Sequence, residues 1–434
     1  MAREMKDSGI EWVKRIPEEW QISSNSHLFS FEKKIVGNEW TKTQLLSLTK
    51  KGIVTKNIND GGGKQPESFS TYQQVHKKQL VMCLFDLDVS AVFSGVSNYD
   101  GMISPAYKVF SINQSLLYPK YIDYYFQAIF INRNYVMYSK SLRKTIDTDN
   151  FMSIKTIVPP LSEQQKIADF LDEKVKEIDN AIEKTKETIE LYKKYKQAII
   201  TEAVTKGLDP NAEMKDSGIE WINQIPTKWN VNRLKNLFSF GKGLPITKAD
   251  LKENGLPVIS YGQIHSKVNS GVCVKKELVR FVSQSYYESN PESMTKKGDI
   301  VVADTSEDLE GCGNAVYING DFNIFAGYHT VILKSKENKS NKYIAYLMKT
   351  DLWRSQIRTL VTSVKVFSIT QSILKQCSVI LPPKDLQEEI VDFLDDKCSS
   401  IDAIVNKMNS LIPTYENYKK SLIYEYVTGK KEVK

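Results

Sequence analysis

The sequence predicts an α+β chain: two α+β modules separated by two long helices that pair antiparallel as a coiled coil, with an internal pseudo-twofold repeat. Three observations carry this. A long stretch of helical period occurs twice, a short leader occurs twice, and strand-rich inserts that do not resemble each other fill the space between.

The leader comes first. MKDSGIEWVKRIPEEW, Met5 to Trp20, returns as MKDSGIEWINQIPTKW, Met214 to Trp229, at an offset of 209, and the register persists to LFSF at Leu28 to Phe31 and Leu237 to Phe240. The inserts follow, from about Gln21 to Val158 and from about Asn230 to Leu381. Both mix strand-like runs, such as Leu80 to Phe93, Asp299 to Thr305 and His329 to Ser335, with Gly, Asn and Ser loops. Each closes with a helical stretch, from Tyr118 and from Asn341, and a last strand running into Pro-Pro.

The helices come next. In Pro159 to Gly207 the apolar residues Ile167, Phe170, Leu171, Ile178, Ile182 and Ile189 recur at threes and fours, with Lys and Glu on the other face. Ser162 is the candidate N-cap, and Gly207 and Pro210 mark the stop. About 44 residues at 1.5 Å each span roughly 65 Å, too long for one small globule, so a long partner is expected. An ungapped copy at an offset of 223, Pro382 to Lys430, supplies it and repeats the stripe at Ile390, Phe393, Leu394, Ile401, Tyr415 and Leu422. Pro413 is expected to interrupt and kink this second helix. The offsets differ by 14, so the second insert is 14 residues longer. The chain divides into 1–158, a first module with its leader; 159–207, the first long helix; 208–381, a second module with the repeated leader; and 382–434, the second helix and tail.

Composition narrows the class. Of 434 residues 41% are hydrophobic and 26% charged, as in an ordinary globular protein. The sequence has no apolar run of membrane length, and its first twenty residues carry charges throughout, so a cytoplasmic location is expected. Five widely spaced cysteines and four histidines form no CxxC pair and no ligand spacing, which argues against structural zinc or a disulfide framework. The net charge is +7. The two helices together carry −5, which leaves +12 on the modules, where phosphate contacts require it.

Catalytic motifs are absent from the sequence. An Asn/Asp-Pro-Pro-aromatic tetrad and a Gly-rich cofactor loop, marks of a DNA amino-methyltransferase, are missing, and Asn290-Pro291-Glu292-Ser293 does not fit. GGGK at Gly61 to Lys64 lacks P-loop spacing. Asp86 and Asp88, and the cluster Asp304, Glu307, Asp308 and Glu310, read as solvated loops rather than Mg²⁺ sites. No catalytic or metal residue is assigned to this chain.

The repeated leader, the PPLSEQQKIADFLD segment and the ending YKKYKQAIITEAVTKG with its copy YKKSLIYEYVTGK resemble the specificity subunit of type I restriction-modification systems. The resemblance covers nearly the whole chain. It implies that each insert is a target recognition domain reading one half of a bipartite, asymmetric DNA site. The helices would then act as the spacer and dock two methyltransferase subunits and restriction motor-nuclease subunits. S-adenosylmethionine, ATP and Mg²⁺ are expected on those partners, with none in this chain. The sequence departs from the family pattern in the second helix, where LQEE at Leu386 to Glu389 replaces SEQQ. The alternative reading is a non-catalytic coiled-coil scaffold that has lost sequence reading.

Base reading calls for polar side chains on loops, and positioning on DNA calls for Lys or Arg against phosphate. The DNA-binding candidates are Lys33, Lys34, Asn98, Tyr99, Arg143 and Lys144 in the first module, and Lys242, Tyr261, His265 and Lys365 in the second. His265 reads equally well as a packed, satisfied histidine.

Overall fold

The computed structural model describes residues 3–58, 68–90, 92–139, 144–320, 323–336, 341–362 and 366–433. Leu161–Lys206 and Lys384–Val427 are each helical throughout. Leu161 is the first helical residue of the earlier one, and the Pro160 carbonyl accepts from the Glu163 and Gln164 amides at 2.9 and 3.0 Å. Ser162 therefore lies inside the first turn and is not the N-cap. Gly207 ends the helix at φ +84°, a left-handed conformation that glycine adopts without steric cost. The second helix runs through Pro413 rather than being interrupted there. Pro413 lies on the exposed face, and Ile412 and Tyr415 beside it stay packed against the core, so the hydrogen bond that Pro413 cannot donate is lost at a solvent-exposed position.

The chain forms two compact units: Met1–Thr185 with Ser410–Lys434, and Lys186–Asn409. Each contains one module and a segment of both long helices. In the first unit Ile167, Leu171, Ile178 and Ile182 share a buried cluster with Leu422, Ile423 and Val427. Phe170 meets Tyr426 with ring centroids 4.5 Å apart, and Lys419 Nζ lies 2.7 Å from Asp179. The numbers rise on one helix as they fall on the other, so the segments pair antiparallel. In the second unit Ile200 and Val204 cluster with Ile390 and Leu394, and Lys196 Nζ lies 2.7 Å from Asp402. The offset of 223 carries Asp179 onto Asp402 and Lys196 onto Lys419. These two ion pairs are therefore the same contact made once in each unit.

The unlike inserts each carry a four-stranded sheet of the same order. In the first unit the strand order is Phe29–Phe31, Lys108–Ile112, Leu80–Met82, Ser94–Val96; in the second it is Phe238–Lys242, Thr330–Ser335, Ile300–Ala303, Ala315–Tyr317. All neighbours are antiparallel. One row across the first sheet reads Phe31, Phe110, Leu80, Val96, and its counterpart reads Phe240, Leu333, Ile300, Tyr317. In chain order the offsets are 209, 220, 221 and 223, so 11 of the 14 extra residues precede the central strand. A second small sheet in each unit contains a parallel pair, Met102 against Leu45 and Val258 against Phe325. The strand-like run from Leu80 to Phe93 is shorter than the sequence suggests: only Leu80–Met82 is strand, and the chain then turns.

Each module leans on the long helices through one set of contacts. In the first unit Tyr121 Oη donates to the Val427 carbonyl at 3.0 Å, while Asp172 accepts from Lys120 and, at 2.9 Å, from Tyr124 Oη. In the second, Tyr343 Oη donates to the Val204 carbonyl at 2.9 Å, and Asp395 accepts from Lys342 and, at 2.6 Å, from Tyr346 Oη. Burial, reinforced by the neighbouring carboxylate, raises the Tyr124 and Tyr346 phenols well above their usual range, which keeps both as donors.

Candidate nucleic-acid interface

The central strands, Leu80–Met82 and Ile300–Ala303, give each sheet two distinct ends. At the end where the central strand finishes, Met82 lies opposite Lys108 and Val302 opposite Val331. Most candidates with described positions fall here.

In the first unit, Lys33 and Lys34 leave the sheet just past Phe31, and both are exposed. Lys34 is 3.5 Å from Glu32, an exposed pair that competes weakly with any phosphate. The Lys144 carbonyl accepts from the Leu87 amide at 3.3 Å, and the Ile146 amide donates to the Leu84 carbonyl at 2.8 Å. The Lys144 segment thus runs beside the loop that leaves the central strand. Asn98 and Tyr99 are exposed but lie at the opposite end, since Val96 pairs with Leu80, the first residue of the central strand. There the Lys78 amide donates to the Ser97 carbonyl at 2.7 Å, which brings the exposed His76, Lys77 and Lys78 alongside.

In the second unit Lys242 is exposed, opposite Val331, and occupies the repeat position of Lys33. Tyr261 packs its ring against Tyr328 and His329, with centroids 5.6 and 5.3 Å away. His265 is held on both sides. Its Nε2 lies 2.8 Å from the Thr305 carbonyl and its Nδ1 2.9 Å from Asn314 Nδ2, so both ring nitrogens are engaged within the chain. A cavity of about 480 Å³ beside it is lined by Tyr261, Glu307, Asp308, Glu310, Asn314 and Arg354 among others. His329 stands beside these residues and is not among the sequence candidates. It is exposed at φ +53°, with Nδ1 3.2 Å from Thr305 Oγ1. A strained, exposed histidine just ahead of a strand leaves no signal in the sequence.

Arg143, Lys365 and the GGGK run at 61–64 lie outside the described residues. Asp88 is occupied, since Arg133 Nη2 and Tyr135 Oη donate to it at 2.8 and 3.1 Å. Among the described residues no group of three or more His, Cys, Asp or Glu is placed to hold a metal ion, and no helix is long and apolar enough to cross a membrane. The stripe residues are placed as the period requires: Ile167, Leu171, Ile178, Ile182, Ile189, Ile390, Leu394, Ile401 and Leu422 are buried, and Phe170, Phe393 and Tyr415 are partly buried.

The helix starts differ between the units. Gln164 aligns with Gln387, and Glu163 with Leu386, so the glutamine survives the apparent change of SEQQ to LQEE. Gln164 is fully buried. It accepts from the Tyr118 amide at 2.7 Å and donates to the Leu116 and Pro159 carbonyls at 2.8 and 2.7 Å, whereas Gln387 donates to the Pro382 carbonyl at 2.9 Å. Glu163 accepts from Trp20 Nε1 at 2.9 Å and pairs with Arg3, which also binds Glu19. At the matching places the second unit has Ala212, Lys228 and Leu386, around a cavity of about 470 Å³ beside Trp229.

A twice-repeated scaffold that carries unlike loops on the same sheet end defines a modular protein built by internal duplication. The chain belongs to the type I restriction modification DNA specificity domain family, whose model matches it twice, over residues 17–191 and 226–413. Among curated proteins it is similar to the type I restriction enzyme MjaVIII specificity subunit of Methanocaldococcus jannaschii, 26% identical over 292 residues. It is also similar to the StySPI specificity subunit of Salmonella potsdam, 22% identical over 320 residues. These matches cover 67 and 73% of this chain, which spans 65 and 66% of those relatives' lengths. Among solved structures, a chain from a study of complex assembly and conformational transition of the type I R-M system superposes with TM-score 0.70 at 14% identity, over 96% of this chain and 99% of its own. The HsdS subunit of Thermoanaerobacter tengcongensis gives 0.54 at 14% identity, over 96 and 98%. At such identities the likeness concerns the fold.

Proposed function

We propose that this chain is the non-catalytic, sequence-reading subunit of a cytoplasmic type I restriction-modification complex. Each module reads one half of a bipartite, asymmetric site on double-stranded DNA. The long helices fix the gap between the halves and carry two methyltransferase subunits and restriction motor-nuclease subunits, which hold S-adenosylmethionine, ATP and Mg²⁺. The observation that supports this most is the matched sheet row, identical in order and pairing while the loops at its end differ in length and sequence. A constant frame with variable loops suits two readers of unlike half-sites. At that end Lys33, Lys34, Lys144 and Lys242 are the candidates for phosphate contact, and Tyr261 for base contact. Asn98 and Tyr99 at the far sheet end, and the engaged His265, rank behind them. The positive balance outside the helices suits a polyanion.

The test is genome-wide mapping of methylated adenine in cells that carry this chain with its cognate methyltransferase, against cells that carry the methyltransferase alone. A bipartite motif with a fixed gap, present only with this chain, is the expected result. Assembly of the complex without any new motif would replace this reading with a scaffold that no longer reads DNA.

A further inference from the structure

The loop that leaves the central strand occupies the same place in both units, although the sequences DLDVS and SEDLE share little. The offset is 220 at Leu80/Ile300 ahead of this loop and 221 at Val96/Tyr317 beyond it, so Val89 and Leu309 match to within one residue. Val89 is 84% exposed and Leu309 45%. Single exposed aliphatic residues are ordinary on protein surfaces, but here the corresponding loop presents an exposed aliphatic residue in both units, and each loop is held by hydrogen bonds.

The ties are specific. In the first unit the Val89 and Ser90 amides both donate to the Asp86 carbonyl, at 3.0 and 2.9 Å, around Asp86 at φ +47°. Asp88 is gripped by Arg133 and Tyr135. In the second unit Ser306 Oγ donates to the Asp308 carbonyl at 2.7 Å, and Asp308 Oδ1 accepts from the Gly311 amide at 2.6 Å. Arg358 Nε and Nη2 donate to the Leu309 and Glu310 carbonyls at 2.9 and 3.1 Å. In both, an arginine beyond the insert's main helix donates to the loop: Arg133 from the turn that follows Pro119–Ile131, and Arg358 from the end of the helix Asp351–Arg358. Both loops also lie beside the segment leading to the last strand: the Leu87 amide donates to the Lys144 carbonyl, and Thr305–Ser306 pairs with Phe367–Ser368.

Their chemistry selects among the surfaces of DNA. An aliphatic tip offers nothing to a phosphate, and the neighbouring carboxylates, Asp86 in one loop and Glu307 and Glu310 in the other, repel it. The major-groove edge offers the complement: the thymine C5-methyl group to an aliphatic side chain, and the cytosine amino group to a carboxylate. The basic residues at the same sheet end, Lys33, Lys34 and Lys242, are left for the backbone on either side.

We propose that Val89 and Leu309 are the base-contacting tips of the two half-site readers, each packing against a thymine methyl group in the major groove, with Arg133 and Arg358 as positioning residues. This rests on the DNA-reading function above. The experiment uses the full chain assembled with its methyltransferase: adenine-methylation mapping, then competition binding to duplexes in which each thymine of the motif is replaced by uracil, which lacks only the methyl group. Wild type loses about fivefold in affinity at one thymine in each half-site. Val89→Ser abolishes that uracil penalty in one half-site and Leu309→Ser in the other, each leaving the opposite half unchanged. Arg133→Ala, with Val89 in place, relaxes the same base pair as Val89→Ser and no other. A wild-type complex without any chain-dependent motif would remove the DNA-reading function and this assignment with it. A clear wild-type motif whose uracil penalties survive both serine variants would overturn this assignment alone.

Discussion

Gln164 and Gln387 occupy one repeat position and do unequal work. Gln164 closes the start of its helix with three hydrogen bonds in a dry site, and Gln387 has one at a partly exposed site. Leucine at 164 leaves the Tyr118 amide and two carbonyls without that partner, at about 1 kcal/mol or more each. Gln164→Leu should therefore lower the unfolding free energy by roughly 2–4 kcal/mol and Gln387→Leu by about 1 kcal/mol or less, read by denaturant melts of the assembled protein. Equal losses would mean that the Gln164 contacts contribute nothing beyond packing. Lys33 and Lys242 share a repeat position too, but the proposed work is the same. Each replaced by alanine should weaken binding to every duplex alike and reduce the slope of log affinity against log salt by about one unit. An unchanged slope would take that lysine off the DNA.

At the level of elements, the paired ion contacts are a repeat expressed in three dimensions. Lys196 is 12% exposed and Asp402 36%, while Lys419 and Asp179 are 26 and 52% exposed. The less hydrated pair should be the stronger. A double-mutant cycle on Lys196 and Asp402 should give a coupling of about 1 kcal/mol, and one on Lys419 and Asp179 about half of that, after discounting for solvent screening. A larger coupling for the exposed pair would contradict burial as the determinant. The helices and leaders were legible in the sequence because period and repetition persist over tens of residues. The strands within the runs at Leu80, Asp299 and His329 were legible too, but their order in a common sheet was not, because short strands buried along their whole length, such as Leu80–Met82 and Ile300–Ala303, carry no alternation that fixes which face or neighbour they take. Their equivalence was hidden by the 11 residues inserted ahead of the central strand. The candidate site divides in the same way. Lys33 and Lys242 were found beside a repeated LFSF, whereas Val89, Leu309 and His329 were passed over because a search for polar readers ignores aliphatic tips and cannot see a left-handed φ.

For the whole molecule, the repeat gives the spacer proposal its most demanding test. The ion pairs lie 17 residues apart on each helix, Asp179 to Lys196 and Asp402 to Lys419, and the intervening segments are helical throughout. Four residues added to both segments, at repeat-equivalent positions that continue the apolar stripe, add about 6 Å of helix in slightly more than one turn. With base pairs rising about 3.4 Å, the non-specific gap should lengthen by one or two base pairs while both half-sites keep their sequence. Insertion into one helix alone leaves Lys196 and Asp402, or Lys419 and Asp179, out of register, and should abolish methylation rather than lengthen the gap. Adenine-methylation mapping reads all three outcomes at once. A longer gap from the single insertion would show that the helices do not act as a matched pair. An unchanged gap from the double insertion would separate spacing from helix length altogether, leaving the modules' own loops to set it.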